Sequence, residues 1–167
     1  DLVIHGTTLA TNALIERRGA KTALVTTEGF RDVIEMRTES RFDQYDLNIR
    51  LPQPLIPRDH RFPVRGRLGA DGSELQPLDE AALEALAERL AEDGFGAVAV
   101  GFIHSYMNPA HERRAREILS ARLDVPISLS SEVSPQMREY ERFNTVAANA
   151  YVRPQMASYL ARLQVRL

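Results

Sequence analysis

The chain contains no cysteine. That excludes disulfide bonds, thiolate nucleophiles and cysteine-bound zinc, and it is compatible with a cytoplasmic address. Long apolar runs are missing too. The longest, Ala97 to Ile103, falls far below the roughly 20 residues that span a bilayer, and no signal-peptide pattern is visible. Neither sign of charge dominates: 21 Lys and Arg stand against 23 Asp and Glu, interspersed along the chain, so nothing asks for nucleic acid or an anionic membrane. The four histidines form no HExxH pair, which argues against a histidine metal site. A Walker-type phosphate loop and a glycine-rich dinucleotide fingerprint are both lacking.

What is present is a soluble-protein composition, 44% hydrophobic over 167 residues, enough for one ordinary domain or one lobe of something larger. The chain opens on Asp1 inside a strand-like run and closes on Leu167 inside a helical pattern, so a segment of a longer protein is expected.

The patterning predicts an α/β fold. Leu2 to Ile4 read as a short buried strand, Leu9 to Arg18 as a helix ended by Gly19, and "KTALVT" as a second strand. "EGFRDVIEM" reads as a helix, and Arg37 to Asp59 as a long irregular connection, a type that in compact domains is usually functional or mobile. Arg61 to Leu68 alternate and meet Asp71-Gly72, which predicts a β-hairpin returning through "SELQPL". Asp79 is placed to cap a helix carrying Leu83, Leu86 and Leu90, ended by Gly94. "AVAVGFI" reads as a strand covered on both faces of a parallel sheet, followed by an Asn108-Pro109 helix start, "AHERRAREIL" and the strand "VPISLS". From Asn144 to Leu167 the composition is helical, with Pro154 expected to kink or divide it. The whole predicts βαβ units around a mixed, largely parallel sheet with a β-hairpin.

The densest polar cluster is "HGTTLATNAL", where a buried strand runs into a helix. A helix start leaves amide hydrogens unpaired and carries partial positive charge, which suits anions and polarised carbonyls. Gly6 permits close approach, Thr7 and Thr8 add hydroxyls, and Thr8, Thr11 and Asn12 share one face. His5 would orient the cluster. The plain alternative makes Thr7 or Thr8 a simple cap and the rest filler. Ser105 follows His104 without a nucleophile elbow, so a Ser-His hydrolase is poorly supported. In "REYERFNT" surface ion pairs compete with a ligand role.

Taken together, "HGTTLATNALIERRGAKTALVTTEGFRDVIEM", "AVAVGFIHSYMNPAHERRAREIL" and "SLSSEVSPQMREYERFNTVAANAYVRPQM" resemble the N-terminal region of the hydantoinase A/5-oxoprolinase family. The match is nearly end to end and weakest between Arg37 and Arg67. The resemblance implies an actin-like, sugar-kinase-like ATPase architecture in the full protein and ATP-dependent, magnesium-assisted opening of a cyclic amide. It implies that His5, Gly6, Thr7, Thr8, Thr11 and Asn12 border the cleft where nucleotide and ring meet, and that Arg37, Tyr140, Glu141 and Arg142 approach the substrate. It also implies a hydantoinase B-type partner subunit. Residues 1–167 are then a fragment of the N-terminal domain without the preceding phosphate loop, with 144–167 a C-terminal helical segment, and this chain alone is expected to bind ATP weakly or not at all and to have no turnover. Three alternatives stay open: a module that docks the partner subunit, an acetone carboxylase-type β subunit, and a sugar-kinase-like phosphotransferase using Asp32 or Asp43.

Overall fold

A computed structural model describes residues 7–38, 45–46, 48–49 and 51–166. The expected strand Leu2–Ile4, together with His5, Gly6 and Asp43, lies outside the described residues.

Among the described residues the core is a sheet of four strands, β1 (Thr22–Thr27), β2 (Arg61–Val64), β5 (Ala97–Gly101) and β6 (Ile127–Leu129), in the order β2-β1-β5-β6 with each of these pairings parallel. A separate antiparallel hairpin joins β3 (Arg67–Leu68) to β4 (Glu74–Gln76). The helices are α1 (Leu9–Ile15), α2 (Val33–Met36), α3 (Glu80–Glu92), α4 (Ala110–Ser120), α5 (Ser130–Val133) and α6 (Glu139–Arg166).

Both central strands are buried along their whole length, as a sheet covered on two faces requires. On one face Ala23, Val25, Val98 and Val100 pack against Leu83, Leu90 and Leu119 of α3 and α4. On the other, Leu24, Ala97 and Ala99 pack against Phe143, Val146 and Ala150 of α6, with Ile34 of α2 and Ile56 beside them. Gly101 opens the second face: a Cβ there would stand 2.7 Å from Phe143 Cδ1.

Several sequence expectations hold. Asp79 Oδ1 accepts from Ala82 N at 3.0 Å as the α3 cap, Gly94 ends that helix with φ 66°, and Asn108 Oδ1 accepts from Ala110 N at the start of α4.

Others are corrected. The alternating run Arg61–Leu68 is not one hairpin arm: Gly66, φ 149°, breaks it, so that β2 joins the main sheet and only β3 forms the hairpin. Alternation looks the same in both settings, and the choice of partner strand is not local information. α2 is a four-residue helix and not the full "EGFRDVIEM". Gly19 is not the left-handed residue that ends α1. Arg17 takes that conformation, φ 55°, and Gly19 is needed because a Cβ there would run into the Tyr151 ring. α6 starts at Glu139, ahead of Asn144, and continues through Pro154 as one helix. The lost bond there is offset by the packing of Ala147, Ala150 and Tyr151 just upstream.

The chain moves from β1 to β2 on one side, then crosses back through α3 to β5 on the other side of β1. The β1/β5 pair is therefore the topological switch point. In open α/β sheets ligands bind beyond the carboxyl ends of such strands, and it is there that α6 begins.

Candidate functional site

Directly beyond β5 the backbone is gripped by a buried polar network. Glu112 and Arg142 are both 0% exposed. Glu112 accepts from Phe102 N at 3.0 Å, Ser130 Oγ at 2.6 Å and Ser131 N at 2.8 Å. Arg142 donates to Phe102 O at 2.7 Å, Ser130 Oγ at 3.0 Å and Gln136 O at 3.0 Å, with the rings of Tyr106 and Phe143 near its guanidinium. The two charges thus meet through one serine hydroxyl and hold both sides of the Phe102 peptide. Arg142, expected from the sequence to approach a ligand, directs its donors to the main chain, α5 and Glu139, with its side chain closed off from solvent. Glu141, in the same turn, is exposed.

The same edge carries polar atoms without partners among the described residues. They include Thr26 Oγ1 at the end of β1 and His104 Nδ1 beyond β5. His104 holds a left-handed backbone, φ 55°. Thr27 Oγ1 accepts from Ile103 N at 3.1 Å and closes the crevice between the two strands.

The first turns of α6 also wall a hollow of about 260 Å³, lined by Ile34, Arg37, Pro52, Gln53, Pro54, Leu55, Tyr140 and Asn144. Arg37 follows α2 and Tyr140 lies on α6, so the fold brings together two residues singled out from distant parts of the sequence. Asn144 stands four residues after Tyr140 on the same helical face; its Nδ2 donates to Tyr140 O at 2.7 Å, leaving Oδ1 as an acceptor.

The outer wall is the segment 51–58, which is tied down by arginines through its own carbonyl oxygens. Arg37 Nη2 donates to Pro52 O at 2.6 Å, Arg17 to Gln53 O at 2.6 Å and Pro54 O at 3.1 Å, Arg61 to Ile56 O at 2.9 Å and Arg31 to Arg58 O at 2.7 Å. Arg61 is enclosed, also donates to Glu35 at 2.9 Å, and keeps Nη1 without a described partner. The long irregular connection marked this region in the sequence; Arg17, Arg61 and Asn144 carried no local signal of their own.

Asp32 is occupied by Arg58, with both carboxylate oxygens engaged at 2.8 and 3.0 Å. That arrangement weakens its case as a catalytic base. The Arg58 hydrogen bond holds the Asp32 carboxyl below its ordinary value of 3.8. Because the folded value is the lower one, the tether is complete above the unfolded value and fails as pH falls through the folded one. Hydrogen exchange near residues 58–61 is therefore expected to rise below about pH 4. In Asp32→Asn it is expected to be raised already at neutral pH, with no acid step.

Thr7, Thr8, Thr11 and Asn12 are exposed on α1, and none of them lines the hollow. Thr7 Oγ1 accepts from Leu9 N at 3.1 Å, while Thr8, the residue before α1, makes no side-chain cap bond. Thr8, Thr11 and Asn12 present an open polar face. Among the described residues no three His, Asp or Glu side chains could hold a metal ion, and no helix is long and apolar enough to cross a membrane.

Residues 1–123 match the family model described as the hydantoinase/oxoprolinase N-terminal region. The chain is 44% identical over 166 residues to caprolactamase subunit alpha of Pseudomonas jessenii, covering 98% of this chain and 24% of that protein. It is 30% identical over 187 residues to 5-oxoprolinase of Saccharomyces cerevisiae, covering 97% of this chain and 14% of that one. The crystal structure of ATP-dependent caprolactamase from P. jessenii superimposes with a TM-score of 0.90 at 43% identity, over 98% of this chain and 24% of that one. Nucleotide-free acetone carboxylase superimposes at 0.78 and 26% identity, over 87% and 22%. The chain thus spans about a quarter or less of the length of these relatives.

Proposed function

The chain belongs to the hydantoinase/oxoprolinase N-terminal region family, and on that premise we propose that the whole protein opens a small cyclic amide at the expense of ATP. The observation that carries the reading to this chain is the meeting of Arg37 and Tyr140 in one small hollow at the switch-point side of the sheet.

The chemistry needs what such a hollow supplies. An unstrained amide is resonance-stabilised, and phosphorylating its oxygen turns that oxygen into a leaving group and exposes the carbon to water. Arg37, Tyr140 and Asn144 hold and orient the ring, and fixing its carbonyl against a donor lowers the entropic part of the barrier. We assign the nucleotide side to the exposed Thr8, Thr11 and Asn12 and, by their place in the sequence alone, to His5 and Gly6. Magnesium, where bound, offsets charge on the transferring phosphoryl group; the described residues offer no ligand set for it, and no step here is routed through it. A partner subunit is part of the proposal, in keeping with the caprolactamase relative being named a subunit.

The test uses the complete protein with its partner subunit, reading phosphate release with hydantoin, N-methylhydantoin, 5-oxoproline, caprolactam and, separately, acetone with bicarbonate. Ring-dependent release is expected. Release with acetone and bicarbonate alone would move the protein to the carboxylase branch, and no release above the ATP-only rate would end the proposal. In Thr8→Ala/Asn12→Ala, ATP turnover is expected to fall while assembly with the partner persists; the reverse pattern would make α1 a docking element.

A further inference from the structure

The hairpin β3–β4 stands apart from the main sheet, pairing Arg67 with Gln76 and Leu68 with Glu74. A two-stranded ribbon of that size is marginal in water by itself. Leu68 is buried and anchors one arm, while β4 has no buried residue. The returning arm is seated instead by two side chains at the start of α4. Asn108 Nδ2 donates to Gly72 O at 2.9 Å, and His111 Nε2 and Glu74 Oε2 are 2.8 Å apart. Gly66 makes room for that seat, since a Cβ there would lie 3.5 Å from His111 Nδ1 and 3.2 Å from Leu78 Cα.

The same turn of α4 also faces inward. Asn108 Oδ1 accepts from Ala110 N at 3.0 Å, so the side chain that holds the hairpin is also the one that caps the helix. Next to His111 stands Glu112, whose carboxylate accepts from the amides of Phe102 and Ser131 at 3.0 and 2.8 Å. Arg142 grips the other side of the Phe102 peptide, and Tyr140 and Asn144, which flank it on α6, wall the hollow. None of Gly72, Glu74, Asn108 and His111 lines the hollow itself.

We infer that Asn108 and His111 are positioning residues: by seating the β4 arm they hold the first turn of α4, and through Glu112, Phe102 and Arg142 they fix the start of α6 beside the hollow. The inference rests on the ring-opening function proposed above and adds to it residues that touch no ring. The first amides of a helix lack partners within it, so the order of that turn depends on its cap and its tertiary tethers. Both run through Asn108 and His111. The arm supplies the two discrete arrangements that coupling needs, seated or released. The contacts of Glu112, at 2.6 to 3.0 Å, tolerate little displacement, because hydrogen bonds weaken steeply as alignment is lost.

The experiment uses the complete protein with its partner subunit. Glu74→Ala/Asn108→Asp removes both seats of the arm, yet keeps a cap oxygen at position 108 and leaves His111 and Glu112 in place. Hydrogen exchange is expected to quicken by about 3–30-fold at the Phe102 and Ser131 amides and across residues 139–145, the range of coupling carried through packed contacts. KM for the ring that gives most phosphate release is expected to rise by a similar factor, with kcat within about twofold. Glu74→Gln keeps an acceptor for His111 and should stay within about twofold of wild type in both readouts. Leu86→Ala, which trims packing on α3, controls for stability alone: it is expected to lower the urea midpoint without moving KM. Faster exchange confined to residues 69–76, or an unchanged KM, would overturn the inference, as would an equal rise of KM in Leu86→Ala. If no ring stimulates phosphate release in the wild type, the ring-opening reading fails. Exchange at Phe102, Ser131 and residues 139–145 then decides the coupling alone: faster rates in the double variant uphold it, and wild-type rates overturn it.

Discussion

Arg142→Met is expected to cost about 3–5 kcal/mol of folding stability, the usual consequence of removing one member of a buried charged network. The side chain is fully enclosed and donates to Phe102 O, Ser130 Oγ and Gln136 O. Its loss leaves the buried carboxylate of Glu112 without a nearby cation and strips the Phe102 carbonyl of its strongest donor. Urea titration followed by circular dichroism measures the effect. Glu112→Gln should cost less than Arg142→Met, because an amide still accepts from Ser130 and Phe102. The double variant should fall short of the sum, since both residues act through one hydroxyl. A midpoint for Arg142→Met close to wild type would mean that the network contributes nothing, and would return Arg142 to the list of candidate ligand contacts.

Phe143→Ala should be comparably damaging, at about 3–5 kcal/mol for a buried aromatic truncated to alanine. Phe143 is 0% exposed and fills the space that Gly101 leaves on the face of β5. The converse change tests the same fit. Gly101→Ala brings a methyl against the Phe143 ring, with 2.7 Å to Cδ1, so overpacking of about 1–3 kcal/mol is expected. Adding Phe143→Leu to Gly101→Ala should recover part of that loss, although Phe143→Leu alone is destabilising. Purely additive losses in denaturation midpoints would show that the two sites are independent.

The parts of the fold that could be read from the sequence are those decided within a few residues. The unbroken apolar run of β5, the Asp79 cap and the left-handed Gly94 each depend on their own neighbourhood, and each is found where expected. What escaped depends on distant partners. Nothing near Arg61–Leu68 says that the first half pairs with β1 and the second half folds back on itself. Nothing near Gly19 says that Tyr151 lies against it, and nothing in "REYERFNT" distinguishes the enclosed Arg142 from the exposed Glu141 one position earlier. The candidate site divides the same way. Arg37 and Tyr140 could be singled out through family resemblance. Arg17 and Asn144 become visible only once the 51–58 segment is seen crossing between them.

From Pro52 to Pro54 that segment is held through main-chain oxygens, while further on Ile56 packs in the core and the Arg58 side chain grips Asp32. Gln53 or Leu51 can change to almost any residue without releasing a tether, because the arginines grip oxygen atoms that substitution leaves in place. The anchoring cost falls on Arg17, Arg31, Arg37 and Arg61, all outside the crossing itself. A saturation library should therefore be tolerant at 51 and 53 and strict at 17 and 61. Such a wall can be redrawn by drift or by selection while its position is kept.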